Sequence, residues 1–353
     1  MGNSFFLNTM IKIQFHFQCQ IHIHKGTPTI SSKRTDKPSE TPSLTQYAEQ
    51  QIHHAHEQGC FSRSRNYRTA LQSFLRFRQG RDLPLSRLTH TLMADYERWL
   101  KSQGLRMSTL SCYLRSLRSI YNKAVEEKQV TDHSPFTQCY TGCPRTEKRS
   151  ISAEDIQKLQ QIPLPKKGSL QLVRDIFLFC IFACGMPFVD VAFLRKSQIS
   201  QDGYLTYHRR KTHQSIRLKL LPPALDIIRR YQSNPSEYLF PFLTQSTPEA
   251  AYKQYKEKLC YYNKLLKELG KRAGISRPLT SYVSRHSWAS LAYEENTEMA
   301  VISKGLGHTS PNTTLIYIKG INDTRLDDAN LKIWKRIQTN RKRDKNKNSV
   351  QEV

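Results

Sequence analysis

The sequence is short of acidic residues, of paired cysteines and of long apolar runs. No C-x-x-C pair occurs among its eight cysteines, and Cys139 with Cys143 has no second ligand pair at zinc-like spacing, so no metal site is expected. Unpaired thiols fit a protein kept reduced in the cytoplasm. The longest apolar run, Ile176 to Ala183, is under half of the about 20 residues that cross a bilayer, which predicts a soluble chain without a membrane span. Near the N-terminus Lys12 and several Gln and His residues interrupt the apolar positions and no small-residue cleavage site follows, which argues against a secretory signal. Phe6 stands where N-myristoylation needs Ser or Thr.

Only 29 Asp and Glu oppose 55 Lys and Arg, a formal net charge of +26 at pH 7. An excess this large repels itself and calls for a polyanionic partner, with double-stranded DNA the leading one. A basic surface that serves solubility alone, or an anionic membrane, are weaker accounts of the same charge. At 353 residues the chain exceeds one typical domain, so two domains with tails are expected.

Residues 1–42 read as an N-terminal extension and linker. Apolar residues alternate with Gln and His from Ile13 to Ile23, the pattern of a strand, and Thr, Ser, Pro and Lys dominate 25–42. His22 and His24 on the polar side of that strand read as a solvated face. From 43 to 137 the spacing is helical: Tyr67, Leu71, Phe74 and Phe77; Leu92, Tyr96, Trp99 and Leu100; Leu110, Tyr113, Leu114, Leu117, Ile120 and Tyr121. This predicts a small helical bundle whose polar faces carry Arg63, Arg65, Arg68, Arg115, Arg118 and Lys123. Those cations suit a DNA backbone, although a merely solvated face would carry them too.

Residues 138–150 read as a basic, Gly- and Pro-containing linker, and Ser152 with Asp155 as a capping box that opens a second domain over 151–325. Its expected elements are an apolar helix from Leu170 to Cys184, a hairpin of Tyr204–Lys211 and Ser215–Leu220, and a helix after Pro222-Pro223. Helices are also expected at about 251–272, 282–294, 298–306 and 311–318. Residues 326–353 read as a basic tail, dense in cations from Lys335 to Lys347.

Four segments of the second domain gather polar, mostly basic groups at expected element ends: Gly185-Met186-Pro187-Phe188-Val189-Asp190, Arg209-Arg210-Lys211, Tyr282-Val283-Ser284-Arg285-His286, and Leu306-Gly307-His308 with Tyr317 nine residues later. Taken singly, each has a plain account: Tyr317 as a core aromatic beside Leu315 and Ile318, His308 as a helix cap, Arg285 as a surface cation, Lys211 as a turn lysine. In this order and spacing the set resembles the tyrosine recombinases, the integrase and invertase class of DNA strand-exchange enzymes, across roughly residues 43–320. The most specific part is Leu306-Gly307-His308-Thr309-Ser310 followed by Thr313, Thr314 and Tyr317; upstream, Tyr67, Leu71, Trp99-Leu100, Ser108-Thr109-Leu110 and the Tyr113–Tyr121 segment are similar to the family's DNA-clamping region.

The resemblance implies a mainly α fold with a small β-sheet: an N-terminal helical, SAM-like core-binding domain and an α+β catalytic domain. It implies that Tyr317 is the nucleophile, that Arg285 offers a guanidinium fork to the non-bridging phosphate oxygens, that Lys211 protonates the departing 5′ oxygen, and that His308 donates a hydrogen bond to phosphate. Because a phosphotyrosyl ester conserves the energy of the broken bond, neither ATP nor a metal is implied. Partners would be double-stranded DNA, three further copies of the chain in a homotetramer on paired sites, and an accessory DNA-bending protein.

Two positions depart from the pattern. Pro187 stands where the family carries its first catalytic arginine, while Asp190 matches the acidic residue three places on. Losing a phosphate clamp costs several kcal/mol of transition-state stabilisation. Arg195, Lys196, Arg174 and Arg210 are the candidate replacements, and on a helix Pro187 would also bend the chain. Tyr282 replaces the usual histidine three before Arg285 and remains able to donate a hydrogen bond. A site-specific recombinase, for integration or excision of a mobile element or for inversion, is the leading reading. A catalytically impaired DNA-binding descendant of such an enzyme is the alternative, and a type IB topoisomerase the third.

Overall fold

The computed structural model describes residues 41–144, 149–165, 168–315, 330–331 and 333–335. The expected strand at 13–23, nearly all of the 25–42 linker, Tyr317, and the basic run beyond Lys335 lie outside the described residues. The described residues are mostly helical with a small two-stranded sheet, in line with the helices and hairpin that the spacing of apolar residues predicts.

Helices α1 (Leu44–Glu57), α2 (Phe61–Phe77), α3 (His90–Ser102) and α4 (Met107–Glu126) form the first core. Side-chain caps set where two of them start: Ser43 Oγ accepts from the Gln46 amide at 3.1 Å, and Thr89 Oγ1 from that of Leu92 at 3.2 Å. Apolar residues three and four apart bring Tyr67, Leu71 and Phe74 of α2 against Tyr96 and Leu100 of α3 and against Leu110, Leu114, Leu117 and Tyr121 of α4, all buried. Phe74 meets Tyr96 edge-on with ring centroids 5.1 Å apart, and the Tyr96 hydroxyl donates to Ser73 Oγ at 2.8 Å, so the phenol is buried with its polar end satisfied. The first part of the connector docks on this bundle: the Tyr140 amide donates to Glu97 Oε2 at 2.9 Å and Ser111 Oγ to the Gly142 carbonyl at 2.6 Å.

The second core begins at Ile151. Ser152 Oγ accepts from the Asp155 amide at 3.2 Å and opens α5 (Ala153–Gln161), the cap expected there. Helix α6 (Ser169–Phe182), uninterruptedly apolar from Ile176 to Phe182, packs against several others and so forms the axis of this half. Its one buried carboxylate, Asp175, takes the Tyr231 hydroxyl at 2.9 Å and the Arg230 guanidinium at 3.2 Å. Short helix α7 (Phe188–Ala192) precedes an antiparallel hairpin, β1 (Tyr204–His208) and β2 (Ser215–Lys219), in register from Tyr204 opposite Lys219 to His208 opposite Ser215. Helices α8 (Pro222–Tyr231), α9 (Pro248–Arg272), α10 (Val283–Glu294), α11 (Met299–Leu306) and α12 (Pro311–Leu315) follow. The two halves touch where Ser62 Oγ meets the Tyr252 hydroxyl at 2.8 Å and Phe61 packs on the Tyr252 ring. No helix among the described residues is long and apolar enough to cross a membrane.

Phe74 is fully buried between two aromatic neighbours, so Phe74→Ala is expected to cost about 3–5 kcal/mol, read as a lowered urea midpoint. A midpoint within experimental error of the parent protein would contradict this packing.

Candidate active site

Three chain reversals bring the four polar segments together. The first follows α6, where Cys184 (φ 55°) and Gly185 (φ 68°) both take left-handed conformations. A Cβ on Gly185 would lie 3.2 Å from Cα of Arg285, so the close approach of α10 as well as the backbone angle requires glycine. Pro187 does not lie within a helix and bends none. It stands immediately before α7, where a helix leaves its first amides unbonded and a missing N–H costs nothing.

The second reversal ends α11. Gly307 (φ 63°) terminates the helix, its amide bonding the Lys304 carbonyl at 3.0 Å and the His308 amide that of Ser303 at 3.1 Å. This leaves the Leu306 carbonyl, at the electron-rich helix end, pointing inward. Arg285 of α10, only 2% exposed, donates from Nη2 to Leu306 O at 2.7 Å and from Nη1 to Gly185 O at 3.0 Å. Its Nη2 also lies 2.9 Å from Nε2 of His308. A guanidinium only donates, so Nε2 accepts, the ring proton sits on Nδ1, and Nδ1 donates to Oγ1 of the buried Thr314 at 2.9 Å. Burial, then the positive charges of Arg285, Arg209 and Lys211, hold the His308 pKa down at about 4, which keeps the imidazole neutral.

The third reversal is the tip of the β1–β2 hairpin. Lys211 is exposed on this turn and close enough to His308 to act on its charge. Thr212 Oγ1 donates to the Gly307 carbonyl at 3.1 Å, tying hairpin to helix end. Tyr282 sits just ahead of α10 and is 46% exposed, its ring 6.3 Å from that of His286. Burial and the charges of Arg149 and Arg285 lower the His286 pKa to about 4. Tyr317, two residues past the end of α12, lies outside the described residues.

The four candidate replacements for an arginine at Pro187 are engaged elsewhere. Arg195 is exposed and pairs with Glu237 at 3.1 Å; Lys196 Nζ donates to Asn234 O; Arg174 donates to Ile162 O at 2.9 Å and lies beside Asp175; Arg210 stacks on Phe193 at 3.8 Å. The neighbour that does enter the cluster is Arg209, 5% exposed. Its Nη1 donates to the same Leu306 carbonyl that Arg285 uses, and its Nε is ion-paired with Asp190 Oδ2 at 2.6 Å. The signal for it was legible: Leu205, Tyr207 and Arg209 are alternate residues, and two-residue periodicity turns all three inward. Burial raises the Asp190 pKa, against the pull of Arg209, and the Arg210 amide donates to its Oδ1 at 3.0 Å. A Cβ on Gly307 would come within 2.9 Å of both Cγ of Arg209 and Cδ1 of Ile216, so this glycine also makes room for the second guanidinium.

On the helical bundle Arg63, Arg65, Arg68, Arg115 and Arg118 are exposed. Arg115 Nε bonds the Ser111 carbonyl at 3.3 Å, and Lys123 is half-buried with Nζ on Gln51 Oε1 at 2.9 Å. No group of three or more His, Cys, Asp or Glu placed to hold a metal occurs among the described residues.

Residues 43–141 match the family described as "Phage integrase SAM-like domain", and residues 149–322 that described as "Phage integrase family". The chain is 24% identical over 265 residues to the tyrosine recombinase XerD of Pseudomonas putida, covering 71% of this chain and 84% of that one. It is 28% identical over 226 residues to XerA of Thermococcus kodakarensis, covering 62% and 73%. Among solved structures it resembles the Tn1549 transposon integrase in complex with a circular intermediate DNA, with TM-score 0.59 and 15% identity over 83% of this chain and 99% of that one. It also resembles the lambda integrase dimer bound to a COC′ core site, with TM-score 0.56 and 18% identity over 78% and 95%. The chain belongs to the phage integrase family of tyrosine recombinases.

Proposed function

We propose that this protein is a site-specific DNA recombinase that cuts and rejoins strands through a 3′-phosphotyrosyl bond to Tyr317, serving integration and excision of a mobile element or inversion of a segment. The observation that carries the reading is the meeting of the Arg285 guanidinium, the His308 imidazole and the Lys211 hairpin tip around the end of α11. A phosphodiester placed there gains charge on its non-bridging oxygens during attack, and a buried arginine fork stabilises that charge strongly. Cations also favour the phenolate form of Tyr317, whose proton passes to water before its oxygen bonds phosphorus. As the bond from phosphorus to the 5′ oxygen breaks, Lys211 protonates that oxygen. When Arg285 turns to the phosphate, His308 Nε2 loses its donor. Because the Thr314 hydroxyl can donate as well as accept, the ring can shift its proton to Nε2 and donate to phosphate instead.

The exposed arginines of the bundle, Arg63, Arg65, Arg68, Arg115 and Arg118, then supply backbone contacts to double-stranded DNA, with residues 43–137 as the clamp and 151–325 as the catalytic domain. Solved relatives include a lambda integrase tetramer bound to a Holliday junction, TM-score 0.55 and 16% identity over 82% of this chain and 84% of that one, which supports a homotetramer on two paired sites. The place of Pro187 favours a second reading, a DNA-binding descendant that has lost cleavage.

A set of nicked suicide substrates tiled across the DNA that flanks its own gene separates the two. The intact protein is expected to form a denaturant-resistant adduct and Tyr317→Phe none, with DNA binding unchanged. Binding without any adduct favours the second reading. An adduct surviving in Tyr317→Phe means a different nucleophile.

His308 and His286 are held neutral in the fold at about 4 but titrate near 6.5 when unfolded. Protonation therefore favours the unfolded chain, and stability is lost as pH falls from about 6.5 towards 4. The urea midpoint of the DNA-free protein should drop between about pH 7 and pH 5, and less steeply in His308→Gln. A midpoint flat over that range would contradict the buried, neutral assignment.

A further inference from the structure

We propose that Arg209 is a catalytic residue of this enzyme, a second guanidinium that binds a non-bridging oxygen of the scissile phosphate from the hairpin side. The inference rests on the recombinase reading above and adds a residue to it. Three observations converge. Arg209 and Arg285 donate to one carbonyl oxygen, that of Leu306, so their forks face the same space from two different elements. Bringing two cations to one acceptor in a buried place is unfavourable by itself and becomes favourable when an anion enters between them. Asp190 supplies one negative charge through an ion pair with Nε, and Nη2 of Arg209 has no acceptor among the described residues. Asp190 is also the third residue after Pro187, so the helix that begins where an arginine is missing is the one that aims Arg209. Gly307 completes the fit, because any side chain there would displace the stem of Arg209 and strain the turn that presents His308.

The test measures cleavage by the full-length protein on nicked duplexes tiled across the DNA that flanks its gene. Each carries either the natural phosphodiester or a neutral methylphosphonate at the scissile position. Arg209→Gln removes the charge; Arg209→Lys keeps a charge beside Asp190 and serves if the first variant does not reach the parent urea midpoint. On the phosphodiester each is expected to slow adduct formation about 10²–10³-fold. On the methylphosphonate, which lacks the charge to be clamped, Arg209→Gln should fall within about tenfold of the parent protein. Parent-like rates on the phosphodiester, or equal losses on both substrates, overturn the assignment, the latter by showing a purely structural role. If the parent protein forms no adduct, the recombinase reading fails, and equilibrium binding decides Arg209 separately. Parent protein should then prefer phosphodiester to methylphosphonate more strongly than Arg209→Gln does, and equal preferences overturn the proposal.

Discussion

The carbonyl of Leu306 organises this protein's second half. A helix leaves its last carbonyls without partners, and α11 ends in a left-handed glycine that turns the chain away and exposes one of them to the interior. Two arginines from distant elements, Arg209 after β1 and Arg285 in the first turn of α10, bond to it. With Gly185 O as a further acceptor for Arg285 and Thr212 bound to Gly307 O, four chain segments are fixed relative to one another by bonds to main-chain oxygen. The site's geometry follows from that single helix end.

Holding two guanidiniums in a poorly solvated place demands support from the rest of the fold. Asp190 gives it directly, and the apolar wall of α6, with α9 and α10 packed against it, buries the surroundings. The histidine responds to the same environment: buried and surrounded by cations, His308 stays neutral and takes a hydrogen bond from Arg285. The positive field that would attract phosphate thus adds to burial in keeping the group beside it neutral.

Much of this was legible in the chain. Helical spacing located the bundle, Ser152 marked the start of the second core, and the Tyr204 and Ser215 runs marked the hairpin, because burial periodicity and caps are local properties. The meeting of Arg285 with His308 was legible only through family resemblance, since it depends on contacts between residues far apart in sequence. Pro187 bends no helix because two consecutive left-handed residues, Cys184 and Gly185, turn the chain after α6 and leave the proline immediately before α7. Nearness to Pro187 in the chain points to Arg195, Lys196, Arg174 and Arg210, none of which enters the cluster. Side-chain direction decided otherwise: Arg210 faces Phe193 while its neighbour Arg209, one residue earlier, faces the core.

A carbonyl oxygen belongs to no particular amino acid. Since Arg209, Arg285 and Thr212 all address main-chain oxygens, a change of side chain at 306 does not delete the acceptor, and the steric demands of the arrangement fall on glycines, Gly307 beside Arg209 and Gly185 beside Arg285. Such an arrangement separates the inheritance of a geometry from the inheritance of its residues, and it gives a lineage room to relocate a cation from one element to another while the anchor it must reach stays where it is.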